Sequence, residues 1–293
     1  MCDEFTFKDE QRAAPAAVSR RGFGLAGGAV AIAAWSPAMA ADGAATKDPA
    51  VSESIVAVPT PDGTADAVWF HPAQGRHPAV VMWPDIAGIR DANKAMARRL
   101  AAAGYAVLLV NQYYRTAKAP VLADFASWRT PAGQVRLKPM IAALSPAGTL
   151  RDGAAFVAWL DKQPQVDRKR GIATTGYCMG GPFAVRTAAA APDRVKAVGS
   201  FHGGGLVTEA PDSPHRLLAR TKASYLIAVA RNDDARAPGD KDVFRTSASA
   251  AGRAAEVEVY AADHGWTVPD SPIYDKAEAE RAWARLLALL KRL

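Results

Sequence analysis

The sequence predicts an α/β protein: a doubly wound, mainly parallel sheet with helices on both faces. Three observations predict it. From residue 79 onward, short apolar runs alternate with longer amphipathic stretches, the pattern of repeated strand–helix units. The apolar runs are continuous rather than alternating, as expected of strands covered on both faces. Helix stops fall at the right places, Gly104 after one amphipathic stretch and Pro192 after another. With 293 residues, 49% of them hydrophobic, the chain is long enough for one large domain with a full core.

The elements follow in order. Ser19-Arg20-Arg21-Gly22-Phe23-Gly24-Leu25 precedes a weakly apolar Gly/Ala run over 26–35. Ser36-Pro37-Ala38-Met39-Ala40 then sets small residues just before a possible cut at Ala41. This is the layout of a signal peptide over 1–40. The paired arginines and the low hydrophobicity of the run resemble a twin-arginine signal. That resemblance implies a bacterial periplasmic or secreted protein whose precursor engages the twin-arginine export machinery. The run is too short and Gly-rich to span ~30 Å of hydrocarbon, so no stable membrane anchor is expected. Residues 41–50 read as a polar linker, and 51–293 as one domain.

Within that domain, 54–58 and 65–70 flank Pro61-Asp62-Gly63 and predict a β-hairpin. Strands are expected over 79–83, 106–111, 171–175, 195–201, 224–230 and 255–260. Helices are expected over 91–103, 151–160, 180–191, 239–251 and 277–290. Residues 112–147 lack clear periodicity apart from a short helix near 135–144, and are long enough to form part of a substrate rim. The net charge of +7 invites a nucleic-acid reading. Lys and Arg are scattered, however, and the densest run, Arg168-Lys169-Arg170, follows Asp167 with no aromatic-studded basic stripe. Nucleic acid is therefore not an expected partner.

The strongest chemical signal is Gly176-Tyr177-Cys178-Met179-Gly180-Gly181, placed between an expected strand and an expected helix. A G-x-nucleophile-x-G turn there forces the nucleophile into a strained conformation above the sheet, which is the nucleophile elbow of the α/β-hydrolase fold. The helix N-terminus favours thiolate over thiol, and the Met179 N–H is placed to enter an oxyanion hole. Cys2 would leave with the signal, so Cys178 would be the one cysteine of the exported chain. The bland alternative is a buried structural thiol. A redox thiol is disfavoured because no resolving cysteine would remain.

A nucleophile needs a base, and this fold orders nucleophile, acid, histidine. Of the five histidines, His264 alone follows the late strands. His71 and His77 precede the first parallel strand and are expected at the surface. His215 reads as a solvated loop residue, and His202, in Phe201-His202-Gly203-Gly204-Gly205, as a structural or rim residue. The acid should follow the strand 224–230, in Arg231-Asn232-Asp233-Asp234. Either carboxylate could orient the imidazole, with Asp233 preferred to Asp234. Asp85, in Trp83-Pro84-Asp85-Ile86-Ala87-Gly88, ends a strand at the same sheet edge as Cys178. It would either contact the thiol or cap the helix near Asp91. The Ile86 N–H lies in the loop that gives this fold its second oxyanion donor.

These residues resemble the dienelactone hydrolase family from about Ser52 to the C-terminus. The marks are Asp85-Ile86-Ala87-Gly88, Gly104-Tyr105-Ala106-Val107, the Cys178 elbow, Asp233, and His264-Gly265 followed by Trp266. The resemblance implies a Cys178–His264–Asp233 triad acting on a small-molecule lactone or activated ester, without metal or cofactor. It also implies that Asp85 helps to deprotonate Cys178 once substrate binds. The chain departs from the family in two respects. Asp85 stands where the family usually has Glu, which shortens its reach. The stretch after His264, Gly265-Trp266-Thr267-Val268-Pro269-Asp270, lacks the Arg that dienelactone-cleaving enzymes use to hold the substrate carboxylate. Arg129 and Arg136, in the long connection after the second parallel strand, are the candidates for a positive group in its place, and dienelactone itself is a poor candidate substrate. The rival readings are a general carboxylesterase or thioesterase, and a non-catalytic small-molecule binding module on the same fold.

Overall fold

The computed structural model describes residues 50–293, so the signal-peptide and linker expectations lie almost wholly outside the described residues. Eight strands form one sheet in the order β1-β2-β4-β3-β5-β6-β7-β8. β1 (Val51–Thr60) and β2 (Gly63–Pro72) make the predicted hairpin, longer than the sequence indicated. Its two-residue turn closes between Thr60 and Gly63, and Gly63 takes φ +136°, a value L side chains rarely adopt. β2 pairs antiparallel with β4 (Ala106–Val110). From there the pairing is parallel through β3 (Ala79–Trp83), β5 (Ile172–Tyr177), β6 (Val195–Phe201), β7 (Ser224–Ala230) and β8 (Ala255–Tyr260).

Strand alternation divides the core between the two faces. Val80, Met82, Val107 and Leu226 face α1 (Asp91–Ala102) and the closing helix α9 (Lys276–Leu290). Val81, Trp83, Leu108 and Ile227 face α4 (Pro146–Leu160), α5 (Gly180–Ala190) and α8 (Asp240–Ala250). Trp83 holds the second face together. Its ring meets Phe156 and Phe183 edge-on at 5.3 and 5.5 Å, and its Nε1 donates to Thr187 Oγ1 at 3.0 Å. Each aromatic pair adds about 0.5–1.5 kcal/mol beyond burial, so α4 and α5 are fixed to the centre of the sheet.

The segment after β4 is more helical than its weak periodicity suggested. It holds α2 (Phe125–Trp128) and α3 (Pro131–Ala142). α4 begins at Pro146, earlier than the expected 151. The signals were local: Thr130 and Ser145 each accept from a backbone N–H three residues on, and each precedes a proline at the first helical position. Two further short helices, α6 (Pro214–Leu217) and α7 (Arg231–Arg236), replace expected loops. Because β3 and β5 to β8 are parallel, the segments beginning at Pro84, Cys178, His202, Arg231 and Ala261 all leave from one edge of the sheet.

Candidate active site

Cys178 lies between β5 and α5 at φ +52°, the left-handed region that disfavours a side chain. The flanking glycines make this turn possible. A Cβ on Gly176 would stand 2.0 Å from the Gly180 carbonyl oxygen, and one on Gly180 would stand 2.6 Å from that of Trp83. Strand, turn and helix are thus in contact at distances only glycine allows. The thiol is buried at the start of α5, where the unsatisfied N–H groups and the helix dipole favour negative charge. The Cys178 N–H is shared between two acceptors, the Phe201 carbonyl at 3.0 Å and His202 Nδ1 at 3.1 Å.

His264 is buried, and its Nδ1 bonds Asp233 Oδ2 at 2.7 Å. With a carboxylate there, Nδ1 carries the hydrogen, which leaves Nε2 for proton exchange with a thiol or water. The backbone N–H of His264 donates to Asn232 Oδ1 at 2.9 Å, so two neighbours on α7 orient one residue. Asp234, the alternative acid, instead takes Lys241 Nζ at 2.7 Å. Adjacent residues on a helix point about 100° apart, and only Asp233 turns toward the imidazole.

Asp85 does not cap α1: Arg90 holds the N-cap position with no side-chain cap bond, and the described bonds of the Asp85 carboxylate go to Arg90 and the Ala87 N–H. Both its oxygens are held by Arg90, Oδ1 from Nη1 at 2.8 Å and Oδ2 from Nη2 at 2.9 Å, and Oδ1 also accepts from the Ala87 N–H. The other edge of the guanidinium grips Asp270, through Nε at 2.7 Å and Nη2 at 2.8 Å. Asp270 Oδ2 in turn accepts from the Phe125 N–H. This bridge ties together three segments at the catalytic edge: the Ile86 loop, the loop after His264, and the start of α2. Burial opposes the charge on Arg90, but attraction to Asp85 and the bonds to Asp270 outweigh it and raise its pKa. The sequence reading overlooked Arg90. Arg129 ends α2 half-buried and Arg136 is exposed on α3, and no described bond joins either to Cys178, His264 or Asp85.

The Ile86 loop has further supports that the sequence did not reveal. Gln112 Nε2 donates to the Asp85 carbonyl at 2.7 Å, and Tyr113 Oη donates to that of Ile86 at 2.8 Å. Tyr113 Oη also lies 3.5 Å from Met179 Sδ, so one buried phenol touches both residues expected to give oxyanion donors. His202 is buried beside Cys178 rather than standing at a rim. Elsewhere, His71 and His77 are half-buried, and His215 sits in α6 with Nδ1 on Ser213 Oγ. A cavity of about 190 Å³ opens beside His264 and Asp233, floored by Leu206, Ile227, Val229 and Phe244. A second, of about 160 Å³ between α1 and α9, touches none of Cys178, His264 and Asp233. Among the described residues, no group of His, Cys, Asp and Glu could hold a metal ion, and no helix is long and apolar enough to cross a membrane.

The elbow and the sheet order define an α/β-hydrolase, and the comparisons with known proteins agree. A family model described as the dienelactone hydrolase family matches residues 65–293. The chain belongs to that family and is a carboxylic ester hydrolase of the dienelactone hydrolase type. Similar proteins include the "Putative carboxymethylenebutenolidase" of Escherichia coli strain K12, 25% identical over 254 residues, 84% of this chain and 89% of that one. The protein of the same name from Methylorubrum extorquens is 27% identical over 236 residues, 79% of this chain and 78% of its own. The fold is shared with a dienelactone hydrolase-like promiscuous phosphotriesterase, P91, from metagenomic libraries. That match has a TM-score of 0.67 at 22% identity and covers 83% of this chain and 99% of that one.

Proposed function

We propose that the chain hydrolyses a small carboxylic ester or lactone through a thioester acyl-enzyme on Cys178, with His264 and Asp233 completing a triad. The observation that carries this reading is the combination at one sheet edge of a strained, buried Cys178 and a His264 already oriented by Asp233. His264 Nε2 takes the thiol proton, and the thiolate attacks the substrate carbonyl. The oxyanion rests on the N–H groups of Met179 and Ile86. As the tetrahedral adduct collapses, a thioester forms, the C–O bond breaks, and His264 gives its proton to the departing alkoxide. Water then loses a proton to His264 and attacks the thioester, and the acid leaves as Cys178 regains the proton.

Asp85 is assigned to activation of the thiol once substrate is bound. In the described arrangement Arg90 holds both its oxygens, so the role requires Asp85 to exchange that partner. Arg90 would still keep Asp270, and its remaining N–H groups serve Gly88 O and Asn93 Oδ1. Asp270 then balances the Arg90 charge by itself, so the pair offers no net positive charge to a substrate carboxylate, which favours uncharged esters and lactones over carboxylated ones. The paired arginines and the small-residue cut site before Ala41 support export by the twin-arginine route to the periplasm or beyond.

The test is Cys178→Ala against a panel of chromogenic esters and lactones. The variant should lose turnover by at least about a hundredfold while folding normally. A Cys178→Ala protein that retains hydrolysis would remove the proposal.

A further inference from the structure

His202 is absent from the triad, yet it touches more of the site than any sequence signal suggested. It follows β6 at φ +40°, and Cys178 is the other described non-glycine residue at positive φ. The two strained residues are bonded to each other: the Cys178 N–H donates to His202 Nδ1 at 3.1 Å. A backbone N–H can only donate, so Nδ1 carries no hydrogen and Nε2 does. Nε2–H then donates to Thr267 Oγ1 at 2.9 Å, three residues beyond His264. The His202 ring lies 4.9 Å from that of His264 and meets Trp266 edge-on at 5.1 Å. One side chain therefore joins the nucleophile's own amide to the loop that carries the base.

We propose that His202 is a positioning residue for the thiol–imidazole pair, locked as the neutral Nε2–H tautomer and holding the Cys178 elbow in register with the His264 loop. Protonation at Nδ1 would set two N–H groups against each other and break the bond to Cys178. The titratable groups around the ring are Cys178 and Tyr177 on the elbow side and His264 on the loop side. Its described bonds and ring contacts reach no carboxylate, ammonium or guanidinium group. Burial, and then the charge His264 can carry, push the ring well below its ordinary range, which agrees with a lock in the neutral form. A neutral neighbour matters to the chemistry. A thiolate–imidazolium pair places positive charge on His264, and a second imidazolium 4.9 Å away would oppose it.

The inference rests on the Cys178–His264 reading above, so its test uses readouts that need no ester turnover. The first is nitrogen NMR of the histidine rings in the wild-type protein. His202 should stay neutral, with its hydrogen on Nε2, from pH 8 to 5; titration near the ordinary 6.5, or hydrogen on Nδ1, overturns the lock. The second is the pH dependence of iodoacetamide alkylation at Cys178, with kcat and KM beside it. His202→Phe keeps a ring but no acceptor. Its alkylation midpoint should rise by about one pH unit and its kcat fall about tenfold at unchanged KM. His202→Asn places an oxygen near the Nδ1 position and tolerates positive φ, so it should stay within about threefold of wild type. Thr267→Val should move the same two quantities in the same direction as His202→Phe, and carries the test if His202→Phe does not fold. If these variants lower only the melting temperature, with alkylation and kcat unchanged, His202 merely packs and the proposal fails. If the wild type turns over no ester while the alkylation midpoint still shifts, His202 keeps its place and the proposed hydrolysis does not.

Discussion

Replacing Arg90 with methionine removes the one cation between Asp85 and Asp270 while keeping most of the side-chain volume. The Arg90 and Asp85 side chains are each 1% exposed, whereas Asp270 is 27% exposed and can turn to water. Removing one partner of a buried pair costs about 3–5 kcal/mol, because the other charge is left without compensation. With Asp270 partly solvated, the loss here falls at the lower end, about 3 kcal/mol. For a domain of this size, 1 kcal/mol moves the melting temperature by about 2–4 °C, so a drop of about 6–12 °C is expected at pH 8. The pH dependence has a definite sign. With Arg90 gone, the native variant keeps one buried and uncompensated carboxylate, Asp85, which gains from taking up a proton, while the unfolded chain ionises freely. The native state therefore binds more protons, and the variant's deficit should shrink as pH falls from 8 to 5. Arg90→Met combined with Asp85→Leu should recover most of the loss, since an apolar replacement leaves no buried charge. Thermal unfolding of the three proteins at both pH values is the assay. A single variant within about 2 °C of wild type at pH 8, or a deficit equal at both pH values, would refute the reasoning.

Three other substitutions examine the site more locally. Asp233→Asn should lower kcat by at least about a hundredfold by releasing the His264 tautomer, whereas Asp234→Asn loses only its Lys241 pair and should stay within about twofold; equal losses measured with one aryl ester would mean the acid is misassigned. Tyr113→Phe removes the bond to the Ile86 carbonyl and should reduce kcat about tenfold with KM little changed, and steady-state kinetics with kcat unaltered would free the oxyanion loop from Tyr113.

What the sequence revealed and what it withheld have physical reasons. The elbow was legible because Gly176, Cys178 and Gly180 act on one another within a single turn. His264 was legible because chain order in this fold places the base after the last strands. The preference for Asp233 over Asp234 had a weaker basis, since the direction of each carboxylate depends on α7, a helix where the sequence suggested a loop. Arg90 left no local signal. It stands five residues from Asp85 but 180 from Asp270, and the pairing arises only when the Ile86 and Asp270 loops meet. His202 was visible as a strand-end residue, but its bond to the Cys178 amide follows from the register that sets Tyr177 beside Phe201. α3 was blurred by Pro139 inside it, and its clearer mark was the Thr130-Pro131 start.

The central claim is a covalent intermediate on Cys178, and intact mass spectrometry after rapid quenching of an aryl-ester reaction tests it most directly. The account predicts a transient increase equal to the acyl group, on the peptide containing Cys178, labile to hydroxylamine as a thioester is. It should decay as product appears, and Cys178→Ser should carry no thioester. Steady hydrolysis with no acyl mass on Cys178 at any quench time, or an acyl group on another residue, would contradict the account.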